Sequence, residues 1–342
     1  MDRYGTDAFR FTLLALAAQG RDIRMSDDRL EGYRNFMNKI YQAGRFVRMH
    51  VDETTSRELP SRRTEVNRWI LSRLARAVDG IRKGIEEYRY NDSASAFYQF
   101  TWHEFCDWYL EMIKTALLPE ADPREREEQR AVLLHVFETL LALGHPFLPF
   151  LTEEIWHLLP GERGSLLARE YPSVDPSIVD VDVEERMGHL MEIVRAVRNI
   201  RSELNVPPAK KVEIRLKGQV EEMQFLREHE GILLRLARGG KVAYKDPEYI
   251  PVQDATAVVN DIEVCVPLAG LIDFGQEARR LGKEVEKAKA ELAMVGAKLG
   301  NTKFVEHAPP DIVEAHRVRK SALEEKIAKL SKNLDLVSRY LA

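Results

Sequence analysis

The chain has 342 residues, 44% apolar and 31% charged, with a net charge of −4. This length predicts two or more domains, and the balance describes a globular protein with many exposed helical faces. No apolar run reaches the roughly 18 residues of a membrane-spanning helix. The opening residues MDRYGTDAFRF carry charges and lack the apolar core of a secretory leader. The two cysteines, Cys106 and Cys265, match no zinc spacing and fit a reducing cytoplasm.

In chain order, Asp7 to Ala18 predicts a short helix ended by Gln19-Gly20, and Asp27 or Asp28 is placed to cap a second, from about Arg29 to His50. Its apolar positions Phe36, Ile40, Ala43 and Val47 form one stripe, so Arg34, Asn35, Asn38, Gln42 and Arg45 face elsewhere. A polar linker from Asp52 to Arg63 leads to a third helix, from about Thr64 to Glu87. The segment Phe97–Lys114 then packs seven aromatic residues between Phe97 and Tyr109, with Phe97, Thr101, Phe105, Trp108 and Met112 at helical spacing. It reads as one helix, capped by Asn91 or Asp92 and nearly surrounded by protein. Another long helix spans Glu125 to Leu143, and Thr152-Glu153-Glu154 starts a short one after the His145–Pro149 corner. Together these elements predict a mainly α protein built on an antiparallel helical bundle.

From Pro172 to Asp182 the composition shifts to a linker, and a small α/β domain follows. It comprises helices Glu184–Leu204 and Glu221–Ala237, with strands at Val212–Leu216, Lys241–Tyr244, Ala255–Val259 and Ile262–Pro267 and a tight turn at Asn260-Asp261. The end of the chain carries two heptad seams. The first runs Leu271, Phe274, Ala278, Leu281, Val285, Ala288, Leu292, Val295, Leu299; the second runs Leu323, Ile327, Leu330, Leu334, Val337, Leu341. Joined across Pro309-Pro310, they predict an antiparallel coiled-coil hairpin with arms of roughly 40 Å. Polar His316 and Lys320 fall in the second seam and should loosen its tip. From Gln276 onward there are 14 Lys and Arg against 10 Asp and Glu, so a basic arm sits on an acidic body and suggests an anionic partner. The expected boundaries are residues 1–22, 23–172 for the bundle, 183–269 for the α/β domain and 270–342 for the arm.

No motif in the chain carries an obvious active site. His103, Cys106 and Asp107 lie on one aromatic-rich helix, where a buried thiol beside a satisfied histidine explains them better than a nucleophile does. Arg238-Gly239-Gly240-Lys241 lacks the full phosphate-loop pattern, and its double glycine reads as a helix C-cap entering a strand. His145 and His157 have no metal-ligand partners at useful spacing. Binding chemistry is more plausible than catalysis: single-stranded bases are stacked on aromatic planes and read at their edges by polar side chains, and Asn38, Gln42, Arg45 and Phe46 offer such groups within two turns. By composition alone, a solvated helix face with Phe46 in the core is the favoured reading of these residues.

Several segments in order resemble the C-terminal half of valyl-tRNA synthetases: YGTDAFRF, GRDIRMSDDRLEGYRNFMNKIYQAGRF, YRYNDSASAFYQFTWHEFCDWYLEMIK and HPFLPFLTEEIW. The ending, LAGLIDFGQEARRL and KLGNTKFVEHAPPDIVEAHRVR, resembles their coiled-coil arm. The HPF-PF-TEEIW corner is shared with isoleucine and leucine enzymes, whereas the arm and the lack of a cysteine-rich ending favour valine. The resemblance implies a class I synthetase anticodon-binding bundle, an α/β junction domain and a tRNA-binding arm. The family's HIGH and KMSKS signatures and its editing domain are missing, so the chain is expected to begin just past the active site and to be inactive alone. ATP and magnesium would belong to that missing domain, with no cofactor bound here.

Carried over by position, the resemblance assigns anticodon binding to Phe46 as stacker, Gln42 as edge reader and Leu110 as wall, with Arg45 and Asn38 beside them. Arg279, Arg280, Lys283, Lys287, Arg317, Arg319 and Lys320 would meet tRNA phosphates. The implied partner is valine tRNA, bound by a cytoplasmic monomer. A coiled-coil scaffold for a protein partner is the alternative class, requiring a third, solvent-exposed apolar stripe that the hairpin sequence lacks.

Overall fold

The computed structural model describes residues 3–17, 25–61, 63–218, 220–246, 248–251, 254–268, 271, 274–301 and 310–339. The chain divides into two compact units, Met1–Gly188 and His189–Ala342.

The first unit is a helical bundle. Its helices are α1 (Thr6–Leu16), α2 (Asp27–His50), α3 (Glu65–Glu86), α4 (Tyr90–Tyr98), α5 (Leu110–Ile113), α6 (Pro123–Gly144) and α7 (Pro149–Leu158), with the first turns of α8 (Val181–Glu203). Each start has a local cause. Ser26, rather than Asp27 or Asp28, caps α2 by accepting from Arg29 N, Thr64 caps α3, and Asp122 followed by Pro123 opens α6. The Asp7 carboxylate accepts from Leu151 N at 2.7 Å and so caps α7 from a distant helix.

The aromatic segment departs from a single α-helix. Residues Gln99–Tyr109 form a π-helix between α4 and α5, and α4 begins at Tyr90 with no side-chain cap, so neither Asn91 nor Asp92 serves. The chain enters α4 through Tyr88 at φ 57°. There Gly84 lets α3 and α4 approach so closely that a Cβ would collide with Ser93 Oγ, and Ser93 Oγ donates to Ile81 O at 2.9 Å. The expected burial nonetheless holds: Phe97, Thr101, Phe105, Trp108 and Met112 are all inside. Phe11, Phe36, Phe97 and Phe147 form an aromatic core with centroids 5.4–6.4 Å apart, and Phe105 stacks on Phe137 at 5.8 Å. Beneath them Tyr109 Oη donates to Asn67 Oδ1 at 3.0 Å, and Asn67 Nδ2 donates to Glu128 at 2.7 Å. A buried Glu138 holds Arg163 at 2.7 Å, and the guanidiniums of Arg163 and Arg169 lie 4.3 and 5.0 Å from the Trp156 ring centre.

The Pro172–Asp182 segment is anchored rather than free. Arg82 donates to Pro172 O at 3.1 Å, Asp180 pairs with Arg68, and Glu184 accepts from Ser72, from Arg73 at 3.2 Å and from Arg76 at 2.7 Å.

In the second unit, β1 (Val212–Lys217), β2 (Gly239–Lys245), β3 (Asp254–Val259) and β4 (Ile262–Pro267) form one sheet in the order β2-β1-β4-β3. Strands β1 and β2 are parallel, so a helical crossover must join them; the other pairs are antiparallel. The crossover is two helices, α9 (Val220–Glu228) and α10 (Glu230–Ala237), rather than one: the chain breaks at His229, whose ring packs 4.3 Å from that of Phe225. Ile214, Leu216, Val264 and Val266 bury one face of the sheet. Asn260, at φ 50°, makes the β3–β4 turn.

Helices α11 (Phe274–Gly300) and α12 (Pro310–Arg339) pack on each other as a hairpin. Leu281, Val285, Ala288 and Val295 supply one buried seam and Val313, Leu323 and Val337 the other. Val313 extends the second seam past the polar positions, where His316 is half-buried and Lys320 exposed. Pro310 occupies the first helical position, where its missing N–H costs nothing.

Candidate nucleic-acid interface

The C-terminal half of α2, Arg34 to His50, contains Arg34, Lys39, Arg45 and Arg48 and no carboxylate. Packing fixes which way this cationic half points. At Gly44 a Cβ would lie 2.8 Å from Ile155 and 3.3 Å from Phe137, so α2 sits hard against α6 and α7 along Phe36, Ile40, Ala43, Gly44 and Val47. Asn38, Tyr41, Gln42, Arg45, Arg48 and Met49 are thereby left exposed, with Phe46 half-buried at their edge.

Within this face Arg45 Nη1 donates to Gln42 Oε1 at 3.4 Å, and the Phe46 and His50 rings meet at 4.6 Å with an interplanar angle of 55°. One side of the Phe46 ring is therefore backed by protein. Burial, followed by the Arg130 guanidinium, lowers the His50 pKa, which favours the neutral ring against Phe46. Arg130 is itself held by Asp52 and by Glu127 at 2.9 Å.

The aromatic helix runs beside α2 in the same direction. Phe36 meets Trp102 at 5.9 Å; one turn on, Lys39 Nζ lies 2.9 Å from Asp107 Oδ1 and 5.4 Å from the Trp102 ring centre. Leu110 itself is 7% exposed, so most of its side chain is committed to packing. Sequence reasoning passed over His50 and Lys39; the four-residue spacing of Phe46 and His50 was the available signal. Asp107 is occupied by Lys39, with His103 3.5 Å away, and burial pushes the Cys106 thiol up to about 12, so this trio has no reactive thiolate. Among the described residues no group of His, Cys, Asp and Glu is placed to hold a metal ion, and no helix is long and apolar enough to cross a membrane.

On the hairpin all seven assigned cations are exposed. They differ in their commitments. Arg280 pairs with Glu284 at 2.5 Å, Arg317 with Glu314 at 3.5 Å, Lys320 with Glu324 at 3.8 Å, and Arg319 crosses to Glu291 on the opposite helix. Arg279, Lys283 and Lys287, spaced four apart on one side of α11, form no ion pair among the described residues.

Residues 67–216 match the family of the anticodon-binding domain of tRNA ligase, and residues 273–337 match the valyl tRNA synthetase tRNA binding arm. Over 98% of its length the chain is 42% identical to the valine--tRNA ligases of Syntrophotalea carbinolica and Geobacter sulfurreducens, covering 38% of each. The Thermotoga maritima valine--tRNA ligase is 38% identical over 96% of the chain and 37% of its own length. The chain thus spans under two fifths of the length of these relatives.

Proposed function

We propose that this chain, a member of the valyl-tRNA synthetase family, is the part that grips valine tRNA while ATP-dependent valylation is carried out by a catalytic domain outside it. The observation that carries the reading is the carboxylate-free face of α2, where edge-reading groups (Gln42, Asn38), a cation (Arg45) and a half-exposed ring (Phe46) stand together. Such a face suits the unpaired bases of an anticodon loop, which need a stacking plane and edge hydrogen bonds. Phe46 stacks a base on its free side, Gln42 and Asn38 meet base edges, Arg45 meets an edge or a phosphate, and Leu110 closes the wall. The hairpin cations meet the phosphates of the outer corner of tRNA, adding affinity without sequence information. The chain works as a cytoplasmic monomer and holds no cofactor of its own.

The test is binding of a valine anticodon stem-loop to the Phe46→Ala chain. Loss of one base–aromatic stack is worth about 1–3 kcal/mol, so affinity should fall on the order of 10-fold or more with helicity intact. Unchanged affinity in a folded variant would remove Phe46 from the pocket.

A further inference from the structure

The α10–β2 corner of the second unit contains cations that the anticodon face and the hairpin do not account for. Arg201, at the end of α8, is 6% exposed, and among the described residues no carboxylate accepts from it. Its guanidinium donates to three backbone carbonyls, Lys210 O at 2.8 Å, Pro207 O at 3.2 Å and Arg238 O at 3.3 Å. Buried cations are ordinarily paired with an anion; carbonyls satisfy the N–H groups of Arg201 but leave its charge. Burial, and then the neighbouring Arg238 guanidinium, hold its pKa below the usual guanidinium range.

Arg201 binds together the two stretches of chain that present the other cations. Arg238 is exposed, sits at φ 53°, and is itself the left-handed cap residue of α10, so the turn does not depend on Gly239 as the sequence suggests. Gly240 falls at a register shift between the Val212–Gly239 and Glu213–Lys241 pairs, and a Cβ there would lie 3.2 Å from Lys211 Cβ. The missing side chain lets exposed Lys211 and Lys241 flank a bare stretch of backbone. Glu213, the carboxylate paired in register with Lys241, is held by Arg215 at 3.0 Å. Arg238 Nη1 donates to the Pro208 carbonyl at 3.4 Å.

We infer that Lys211, Arg238 and Lys241, mounted on the buried Arg201, form a third RNA contact that takes the phosphodiester backbone. The proposal rests on the reading of the chain as a tRNA-binding part and extends it to a surface built from the end of the first matched segment and the stretch that precedes the second. Charge complementarity selects the occupant: three exposed cations gathered at one corner, where the neighbouring carboxylate Glu213 is held by Arg215, suit a polyanion with regularly spaced charges, and an exposed glycine admits close approach of a phosphate to backbone.

The experiment compares the full chain with its Lys211→Gln, Arg238→Gln, Lys241→Gln triple variant. Affinity for a valine tRNA transcript is measured across a salt series, with anticodon stem-loop and polyglutamate as further probes. The triple variant should bind tRNA about tenfold more weakly near 0.1 M salt, and its slope of log affinity against log salt should be shallower by about 2–3. If it melts early, the single exposed change Lys241→Gln should still lower the slope by about 1. An unchanged tRNA slope, while the stem-loop still depends on Phe46, overturns this contact and spares the proposed function. Weaker binding to polyglutamate with unchanged binding to tRNA overturns it in favour of an acidic protein. A parent chain that binds no RNA overturns both.

Discussion

Two buried hydroxyls in the aromatic segment face opposite fates. Tyr109 Oη closes the network through Asn67 to Glu128, whereas Thr101 Oγ1 is buried without a hydrogen-bond partner among the described residues. Removing the first leaves an acceptor stranded; removing the second strands nothing. Tyr109→Phe should cost about 1–3 kcal/mol in a denaturant titration, and Thr101→Val should be neutral or stabilising by up to about 1 kcal/mol. Titration adds a second residue-scale expectation. Burial, reinforced by Arg169 and Arg63 and opposed by Glu138, lowers the pKa of His135, and His50 is lowered likewise. A histidine whose folded pKa is depressed takes up its proton in the unfolded chain first, so stability is full above the unfolded value near 6.5 and declines as pH falls below it. The unfolding midpoint should therefore drop from pH 7 toward pH 5. His135→Gln should make that decline shallower in a melting series; an unaltered slope would remove His135 as a contributor.

Helices and strands were legible wherever periodicity ran long enough to show. The seams of α11 and α12 needed only their spacing, since Leu281, Val285, Ala288 and Leu323 are buried where the heptads put them. The face of α2 was legible for the same reason. The π-helix was not, because its aromatic residues fill the interior under either winding and leave apolar pattern alone unable to choose. The anchoring of the linker was equally hidden, since Asp180 and Glu184 look like solvated acids until α3 brings Arg68, Ser72, Arg73 and Arg76 to them. Close approach of helices has its own test. Gly84→Ala would press a methyl into Ser93 Oγ and break the α3–α4 contact, with an expected cost of about 1–3 kcal/mol read as a lowered midpoint in circular dichroism. Gly80→Ala, one turn earlier in open space, should stabilise slightly.

At the scale of the molecule, formal charge misleads about where binding strength resides. The hairpin cations are equal in the sequence, yet Arg317, Arg319 and Lys320 lie beside Glu314, Glu291 and Glu324. A cation already neutralised releases less counterion when it meets a phosphate. Replacing Arg279, Lys283 and Lys287 with alanine should therefore flatten the salt dependence of tRNA binding more than replacing Arg317, Arg319 and Lys320. Equal effects would mean that the ion pairs dissolve on contact with RNA.

The π-helix has a bearing on how this surface tolerates changes in chain length. A helix wound five residues back rather than four holds about one extra residue per turn, and everything after it is set by that phase. Removing a single residue between Gln99 and Tyr109 would take out part of that excess and leave the segment helical. It would also turn Leu110 and the residues after it by about 100° about the axis. On the pocket proposed for Leu110, insertions and deletions in this segment should thus be filtered by recognition before they are filtered by folding, which would make the aromatic stretch a keeper of angle as much as a filler of core.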